Sequence, residues 1–492
     1  MTAENLAGFR PYVLFCSFLL LCLVELGSAN SNGLKDGLLR LEVKRASGSF
    51  EALVAKDRHR WSFRSNPARW SPLKEYRKAL ERQEIQLHDN ARYKSVSLGG
   101  NVVPDGGYYV DLEIGGQKAA AQIDTGSSNL IVPVSGCSSC SSEGMIDISH
   151  SSSGAIIPCN SSSCNSNTCD SELCITGSCS SSSKACCLQT HGVSGCFFAV
   201  IYGTGAAAGV YFTDTVQIAG LTTKATVGGI LTNVSDYPVG PATGVLGMAF
   251  KAASCNPSCA TPLFDDLVKT NNIDNIFSIS LRNEGGTLIL GGIDNSLYSG
   301  DIHYEPLRHG ANSLLYDVQC KGVKVGTSDL ISTSSGAVVD SGTTTLVFDS
   351  KYFKDLKKYF QSKLCDIPNV CSNSSASSET IFSGGGGACF FFSPSDIAKF
   401  PTITIELSSF QINLEPKDYM LHVPLSDIES GNSTIPEKSR TSSSDAYCFA
   451  ILDFPGLESS EGYSMILGDT VLKNYYVVFN RENYSVGFGN LS

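Results

Sequence analysis

Ile123-Asp124-Thr125-Gly126-Ser127-Ser128 is the most informative segment of the sequence. Mostly apolar residues flank it on both sides, so the sequence predicts two strands joined by a tight polar turn. Gly126 allows that turn to fold sharply and leaves space above the Asp124 carboxylate. Ser127 brings a hydroxyl within reach of the same carboxylate. A carboxylate held on such a loop is a candidate general acid or base, provided that a second one meets it.

A matching stretch occurs much later in the chain, at Val339-Asp340-Ser341-Gly342-Thr343. Each copy is followed by two apolar residues and a glycine: Val245-Leu246-Gly247 after the first and Ile466-Leu467-Gly468 after the second. A repeat of such long period indicates two related lobes. One Asp-Thr-Gly alone is a weak signal, but two copies in strand context argue against a pair of ordinary turn aspartates.

Several further motifs follow in an order that resembles the pepsin-like aspartic proteases across residues 96–490. They include Tyr202-Gly203-Thr204-Gly205, Gly244-Val245-Leu246-Gly247, Ala260-Thr261-Pro262-Leu263-Phe264-Asp265 and Leu290-Gly291-Gly292-Ile293-Asp294. The resemblance implies a mainly β, bilobal fold with the active site in the cleft between two related β lobes. It also implies an aspartic-type endopeptidase that acts on peptide or protein substrates.

The resemblance assigns catalysis to Asp124 and Asp340. Two carboxyl groups brought close cannot both ionise readily, so one keeps a proton; pepsin is the established example. The ionised group would take a proton from a water while the other donates to the scissile carbonyl. Activity is therefore expected at acidic pH, with the catalytic water as the only cofactor and no metal. The residues expected to support the pair are Thr125, Gly126, Ser127, Ser341, Gly342 and Thr343.

The resemblance also identifies Tyr202, Gly203 and Thr204 with the flap that closes over substrate. A tyrosine in a strand is ordinarily a packing residue, but the Gly-Thr-Gly turn and its place after Asp124 favour the flap. One departure concerns Ile131, because the family often has a tryptophan there that bonds to the flap tyrosine. That contact is absent here, which bears on flap mobility and on the nearby specificity pocket.

Composition agrees with a two-lobed β protein. The chain has 492 residues, only 17% of them charged, and many short strands are punctuated by Gly and Ser. The net charge of −11 shows no nucleic-acid footprint.

Residues 1–29 have the pattern of a secretory signal peptide, with an apolar run and small residues at Gly27-Ser28-Ala29. A retained membrane anchor is the competing interpretation, although the run is short for a span. No second apolar run of spanning length follows, so we expect no membrane span after signal removal. The prediction is a secretory-pathway protein, secreted or lysosomal/vacuolar.

Residues 30–95 form a basic leader, since residues 30–94 hold 15 Lys and Arg against 8 Asp and Glu, while the body is acidic. The family carries a propeptide over its cleft, so the resemblance implies a zymogen inhibited by its own propeptide, with Arg92 or Lys94 as a candidate blocking cation. A solvated basic linker is the alternative. Both tryptophans, Trp61 and Trp70, lie in this leader.

The two lobes are predicted at 96–300 and 301–492, with a cysteine-rich insertion at 135–196 that holds ten cysteines. After a signal peptide, an even cysteine count in a short polar stretch predicts a disulfide framework. Zinc is the rival, because Cys137 and Cys140 have ligand spacing. The insertion resembles the nepenthesin-type branch of the family, and its connectivity stays open.

Outside the insertion, local pairs are expected between Cys255 and Cys259 and between Cys365 and Cys371. The resemblance implies a bridge between Cys389 and Cys448, which leaves Cys320 odd. Sequons for glycosylation occur at Asn160, Asn233, Asn373, Asn432, Asn483 and Asn490.

Two other functions compete with the protease. The first is a catalytically silent peptide-binding or inhibitor-binding protein on the same fold, which the intact loops disfavour. The second is a cysteine-stapled structural glycoprotein, which the paired motifs disfavour. No constellation supports a Ser or Cys nucleophile. We expect a monomer, and the sequence leaves digestive and processing roles open.

Overall fold

The structure is a computed structural model. It describes residues 93–103, 105–137, 139–140, 144–164, 187–190, 193–202, 205–234, 242–255, 259–372, 379–423 and 445–492. The predicted signal peptide, the leader up to residue 92, and the flap residues Gly203 and Thr204 lie outside the described residues.

The first half of the described chain consists mostly of strands. They are β1 (Lys94–Asn101), β2 (Gly107–Ile114), β3 (Gln117–Asp124), β4 (Leu130–Pro133), β5 (Ala155–Ile156), β6 (Cys187–Thr190), β7 (Val193–Tyr202), β8 (Gly205–Ile218), β9 (Leu221–Val234), β10 (Gly244–Gly247), β11 (Ile276–Leu281) and β12 (Gly286–Leu290). Helix α1 (Leu263–Asn271) precedes β11.

The second half repeats this composition with more short helices. Its strands are β13 (Tyr298–Pro306), β14 (Asp317–Val325), β15 (Ile331–Ser332), β16 (Gly336–Val339), β17 (Leu346–Asp349), β18 (Cys389–Phe392), β19 (Ile403–Leu407), β20 (Gln411–Leu414), β21 (Met420–Val423), β22 (Asp445–Phe449), β23 (Ile451–Phe454), β24 (Tyr463–Leu467), β25 (Tyr475–Asn480) and β26 (Ser485–Leu491). Its helices are α2 (Ser350–Lys363), α3 (Pro394–Ile397), α4 (Pro416–Tyr419), α5 (Leu457–Glu461) and α6 (Asp469–Leu472).

The two apolar-apolar-Gly motifs explain how each aspartate loop is held. In the first half, β10 runs parallel to β3, so that Gly247 is level with Asp124, and it pairs antiparallel with β4 on its other side. In the second half, β24 runs parallel to β16 and antiparallel to β17 in the same way. Each aspartate therefore lies at the end of a strand that pairs in parallel with the strand of the apolar-apolar-Gly motif. The long-period repeat in the sequence thus corresponds to a repeated strand arrangement.

The halves share one antiparallel sheet with the order β13-β26-β25-β11-β12-β1. Within it β11 pairs with β25, and the rings of Phe277 and Phe479 stack with their centroids 4.6 Å apart. The second lobe adds a sheet of order β20-β19-β14-β16-β24-β17-β23. The prediction of a mainly β, bilobal fold is confirmed.

Candidate active site

The first aspartate loop hydrogen-bonds its own carboxylate. Asp124 is the last residue of β3 and is 5% exposed. The Gly126 N–H donates to Asp124 Oδ1 at 2.8 Å, and Ser127 Oγ donates to Oδ2. Two donors thus fix the plane of this carboxyl group and leave its inner side for the partner.

The second loop makes the same bonds. Gly342 N–H donates to Asp340 Oδ1 at 2.8 Å, and Thr343 Oγ1 donates to Oδ2 at 2.5 Å. Asp340 is 9% exposed. The hydroxyl residues at the third position after each aspartate, Ser127 and Thr343, therefore occupy equivalent places.

Each loop glycine faces the aspartate of the other loop. A Cβ added to Gly126 would lie 2.6 Å from Asp340 Oδ1, and one added to Gly342 would overlap Asp124 Oδ1. Any side chain at either position would therefore push the two carboxyl groups apart. The two glycines are needed for this close approach as well as for the turn.

The two carboxyl groups are close neighbours, because each one packs against the glycine of the opposite loop. Burial, and then the charge of Asp340, raise the pKa of Asp124 far above its ordinary value. The hydrogen bonds from Ser127 and Gly126 act in the opposite direction. Burial and the neighbouring charge prevail, so this arrangement favours one retained proton on the pair.

Thr125 and Ser341 join the two loops at the base of the site. The Thr125 hydroxyl accepts from the Ser341 N–H at 2.9 Å, and the Ser341 hydroxyl accepts from the Thr125 N–H at 3.2 Å. Each hydroxyl also donates to the opposite strand, Thr125 to the Val339 carbonyl and Ser341 to the Ile123 carbonyl, both at 2.9 Å. All donors here are satisfied across the lobe boundary.

A third carboxyl group, Asp469, lies near the pair and was missed as a functional residue in the sequence. It is fully buried, its N–H donates to the Thr343 carbonyl at 2.8 Å, and neither of its carboxyl oxygens has a hydrogen-bond partner among the described residues. Burial, and then the charges of Asp340 and Asp124, raise its pKa. The available signal was an asymmetry of the repeat, because Met248 stands at the matching place after Gly247.

The predicted flap is a hairpin of β7 and β8 in which Tyr202 pairs with Gly205. Tyr202 is half-buried and packs against an apolar cluster that includes the fully buried Ile131 and Phe198. Ile131 thus occupies the cluster beneath the hairpin, where it contributes an aliphatic surface and no hydrogen-bond donor.

Disulfides hold the described part of the cysteine-rich insertion. The bridges are Cys137–Cys140, Cys159–Cys187 and Cys164–Cys196. The pair with zinc-ligand spacing is therefore joined covalently. Outside the insertion the structure joins Cys255 to Cys259, Cys365 to Cys371 and Cys389 to Cys448, and Cys320 is a buried free thiol.

The sequons divide by exposure. Asn160, Asn483 and Asn490 are exposed, whereas the side chains of Asn233, Asn373 and Asn432 lie outside the described residues. Within the part of the chain that the structure describes, no group of three or more His, Cys, Asp or Glu side chains is arranged to hold a metal ion. None of the helices seen there combines the length and apolar composition needed to cross a membrane.

Comparison with known proteins agrees with this geometry. The profile of the family described as eukaryotic aspartyl protease matches residues 107–491, which include both aspartate loops. The chain therefore belongs to the eukaryotic aspartyl protease family.

Individual relatives are distant. Cathepsin D of Mus musculus is 28% identical over 323 residues, which cover 61% of this chain and 68% of the relative. Gastricsin of Homo sapiens is 24% identical over 398 residues, which cover 78% of this chain and 81% of the relative. Pepsin II-1 of Oryctolagus cuniculus is 26% identical, with 58% of this chain and 64% of the relative covered, so the match spans just under two thirds of that protein.

Proposed function

We propose that the chain is an aspartic-type endopeptidase in which Asp124 and Asp340 together activate a water. The observation that carries this proposal is the close approach of two buried carboxyl groups, each packed against the glycine of the opposite loop and fixed by hydrogen bonds from its own loop. The ionised carboxylate takes a proton from the water, which attacks the scissile carbonyl. The protonated carboxyl donates to the carbonyl oxygen, and no covalent intermediate forms.

The reaction needs one proton on the pair, and the raised pKa of Asp124 supports its retention. Activity at acidic pH is part of the same proposal. Tyr202, Gly203 and Thr204 form the flap in this proposal. The catalytic water is its only cofactor, and peptides or proteins are its substrates.

We further propose a secreted or lysosomal/vacuolar monomer made as a zymogen. Its signal peptide is 1–29, its inhibitory propeptide 30–95, and its lobes 96–300 and 301–492. The six disulfides among the residues that the structure describes support passage through an oxidising compartment. The six sequons are proposed glycosylation sites on the same grounds.

The test is hydrolysis of a peptide library at acidic pH in ¹⁸O-labelled water. We expect one labelled oxygen in each new carboxyl terminus and no product that carries a transferred acyl group, because water attacks directly. Peptide binding without cleavage by the fully processed protein would contradict the enzyme and support the catalytically silent alternative.

A further inference from the structure

Gln122 is a buried polar residue directly beside the catalytic pair. It is 5% exposed and lies two residues before Asp124 on β3, so strand alternation places both side chains on the same face. In the second lobe the equivalent residue, two before Asp340, is Val338, which is 3% exposed. Valine fills the equivalent position in the second lobe, so packing alone does not explain why the first lobe buries an amide there.

The Gln122 amide reaches across the lobe boundary. Its Nε2 donates to the Gly342 carbonyl at 3.4 Å. A Cβ on Gly107 would lie 2.9 Å from that nitrogen, so the glycine provides the space in which the amide lies. Gly342 is the residue that packs on Asp124 and donates its N–H to Asp340. Holding the Gly342 carbonyl therefore restrains the residue that contacts both carboxyl groups.

A second bond anchors the same loop from the same side. Thr344 Oγ1 donates to the carbonyl of Gly106, next to the glycine that makes room for the amide. The equivalent residue of the first loop, Ser128, donates instead to the Phe250 carbonyl of its own half at 2.7 Å. The second loop is thus held by two hydrogen bonds with residues of the first lobe. The equivalent residues, Val338 and Ser128, make no corresponding bonds between the lobes in the other direction.

We propose that Gln122 is a positioning residue for the catalytic pair, which fixes the Gly342 peptide against the first lobe and so sets the separation of the two carboxyl groups. This inference rests on the proposed function. It assigns Gln122 no contact with the reacting atoms, and it predicts an effect on turnover rather than on substrate binding.

The first variant, Gln122→Val, introduces the residue type that the second lobe has at the equivalent position, Val338. We expect kcat to fall by about 10- to 100-fold while KM stays within about 3-fold, since small misplacement of reacting groups acts on the chemical step. An unchanged kcat, or a change in KM alone, would overturn the proposal, the latter because it indicates a wall of the substrate site.

The second variant, Gln122→Glu, tests the hydrogen bond itself. A protonated glutamic acid donates through its O–H, and burial beside Asp124, Asp340 and Asp469 favours that form. We expect kcat within about 3-fold of wild type near pH 3.5, where the protonated side chain still donates to the Gly342 carbonyl. If kcat of Gln122→Glu at that pH falls by the 10- to 100-fold expected for Gln122→Val, the proposal fails, even if Gln122→Val does not fold.

Gln117→Val is the matched control on the same strand. Its amide exchanges two hydrogen bonds with the backbone of Asp147, both 2.9 Å, away from the catalytic loops. We expect lower stability with unchanged kcat and pH profile; a loss of kcat equal to that of Gln122→Val would overturn a specific role for Gln122. Absence of hydrolysis by the wild type would instead refute the proposed function.

Discussion

Thr125 and Ser341 exchange hydrogen bonds between hydroxyl and backbone N–H across the lobe boundary, at 2.9 and 3.2 Å. Both residues are almost completely buried. Each follows a catalytic aspartate in the proposed mechanism, so neither loop can shift without breaking bonds made by the other. The separation of the carboxyl groups is thereby coupled to the packing of the two halves.

Replacing Thr125 by valine keeps the volume and removes the hydroxyl. The variant leaves the Val339 carbonyl and the Ser341 N–H without partners in a buried site. We expect the free energy of unfolding to drop by about 2–4 kcal/mol, since each unpaired buried group costs roughly 1–3 kcal/mol. Urea unfolding measures this. A double-mutant cycle with Ser341→Ala should show coupling, and fully additive losses would contradict the reciprocal network.

Asp469 should make stability depend on pH. Its pKa is raised in the folded state by burial and by the charges of Asp340 and Asp124, so the folded protein holds a proton there that the unfolded chain releases above about pH 4. Stability from this group is therefore lost as pH rises from there towards neutrality. We expect Asp469→Asn to be more stable than wild type at about pH 7, with the difference shrinking at about pH 4.

Urea midpoints of the two proteins at both pH values provide the measurement. The exposed Asp301→Asn is the control and should track the wild type. An Asp469→Asn variant that loses stability equally at both pH values would show that the carboxyl group acts through packing rather than through its charge.

The disulfides should contribute different amounts to the free energy of unfolding, according to the length of the loop that each one closes. Cys389–Cys448 spans 59 positions and Cys255–Cys259 spans 4. In the chain-entropy account, removing the first by double alanine substitution costs about 4 kcal/mol and removing the second about 2 kcal/mol. Thermal unfolding of the two variants under the same conditions compares them, and the reverse order would argue against loop closure as the main effect.

Maturation should remove every tryptophan. Trp61 and Trp70 are the only two in the chain and both precede residue 95. Acid processing of a zymogen at the proposed boundary would leave emission from tyrosine alone. Fluorescence and the mass of the mature protein check this together. An active processed enzyme that still emits as tryptophan would place the cleavage site before Trp70.

The repeated loops carried most of the fold prediction. Each Asp-hydroxyl-Gly stretch has its own downstream apolar-apolar-Gly motif. In the structure the strands that carry the two motifs pair in parallel in both halves. These features can be predicted from the sequence because each aspartate loop is a short contiguous motif, and the two-lobe arrangement follows from its repetition.

The departures from the repeat were harder to interpret. Asp469 and Gln122 gain their significance from groups that are remote in sequence, such as Gly107 and the Gly342 carbonyl. Only comparison of the two halves position by position marks them, since Met248 and Val338 stand at the equivalent places. Disulfide connectivity in the insertion likewise depends on strand pairing, for example Cys187 opposite Cys196 on β6 and β7.

Asp124 and Asp340 are proposed to act as one acid–base unit, and the pH profile of peptide hydrolysis tests whether they do. The processed wild type should show a maximum of kcat/KM at acidic pH. Asp124→Asn and Asp340→Asn should each lose at least about a thousandfold, with unchanged near-ultraviolet circular dichroism. Either variant retaining wild-type turnover at any pH would contradict the account.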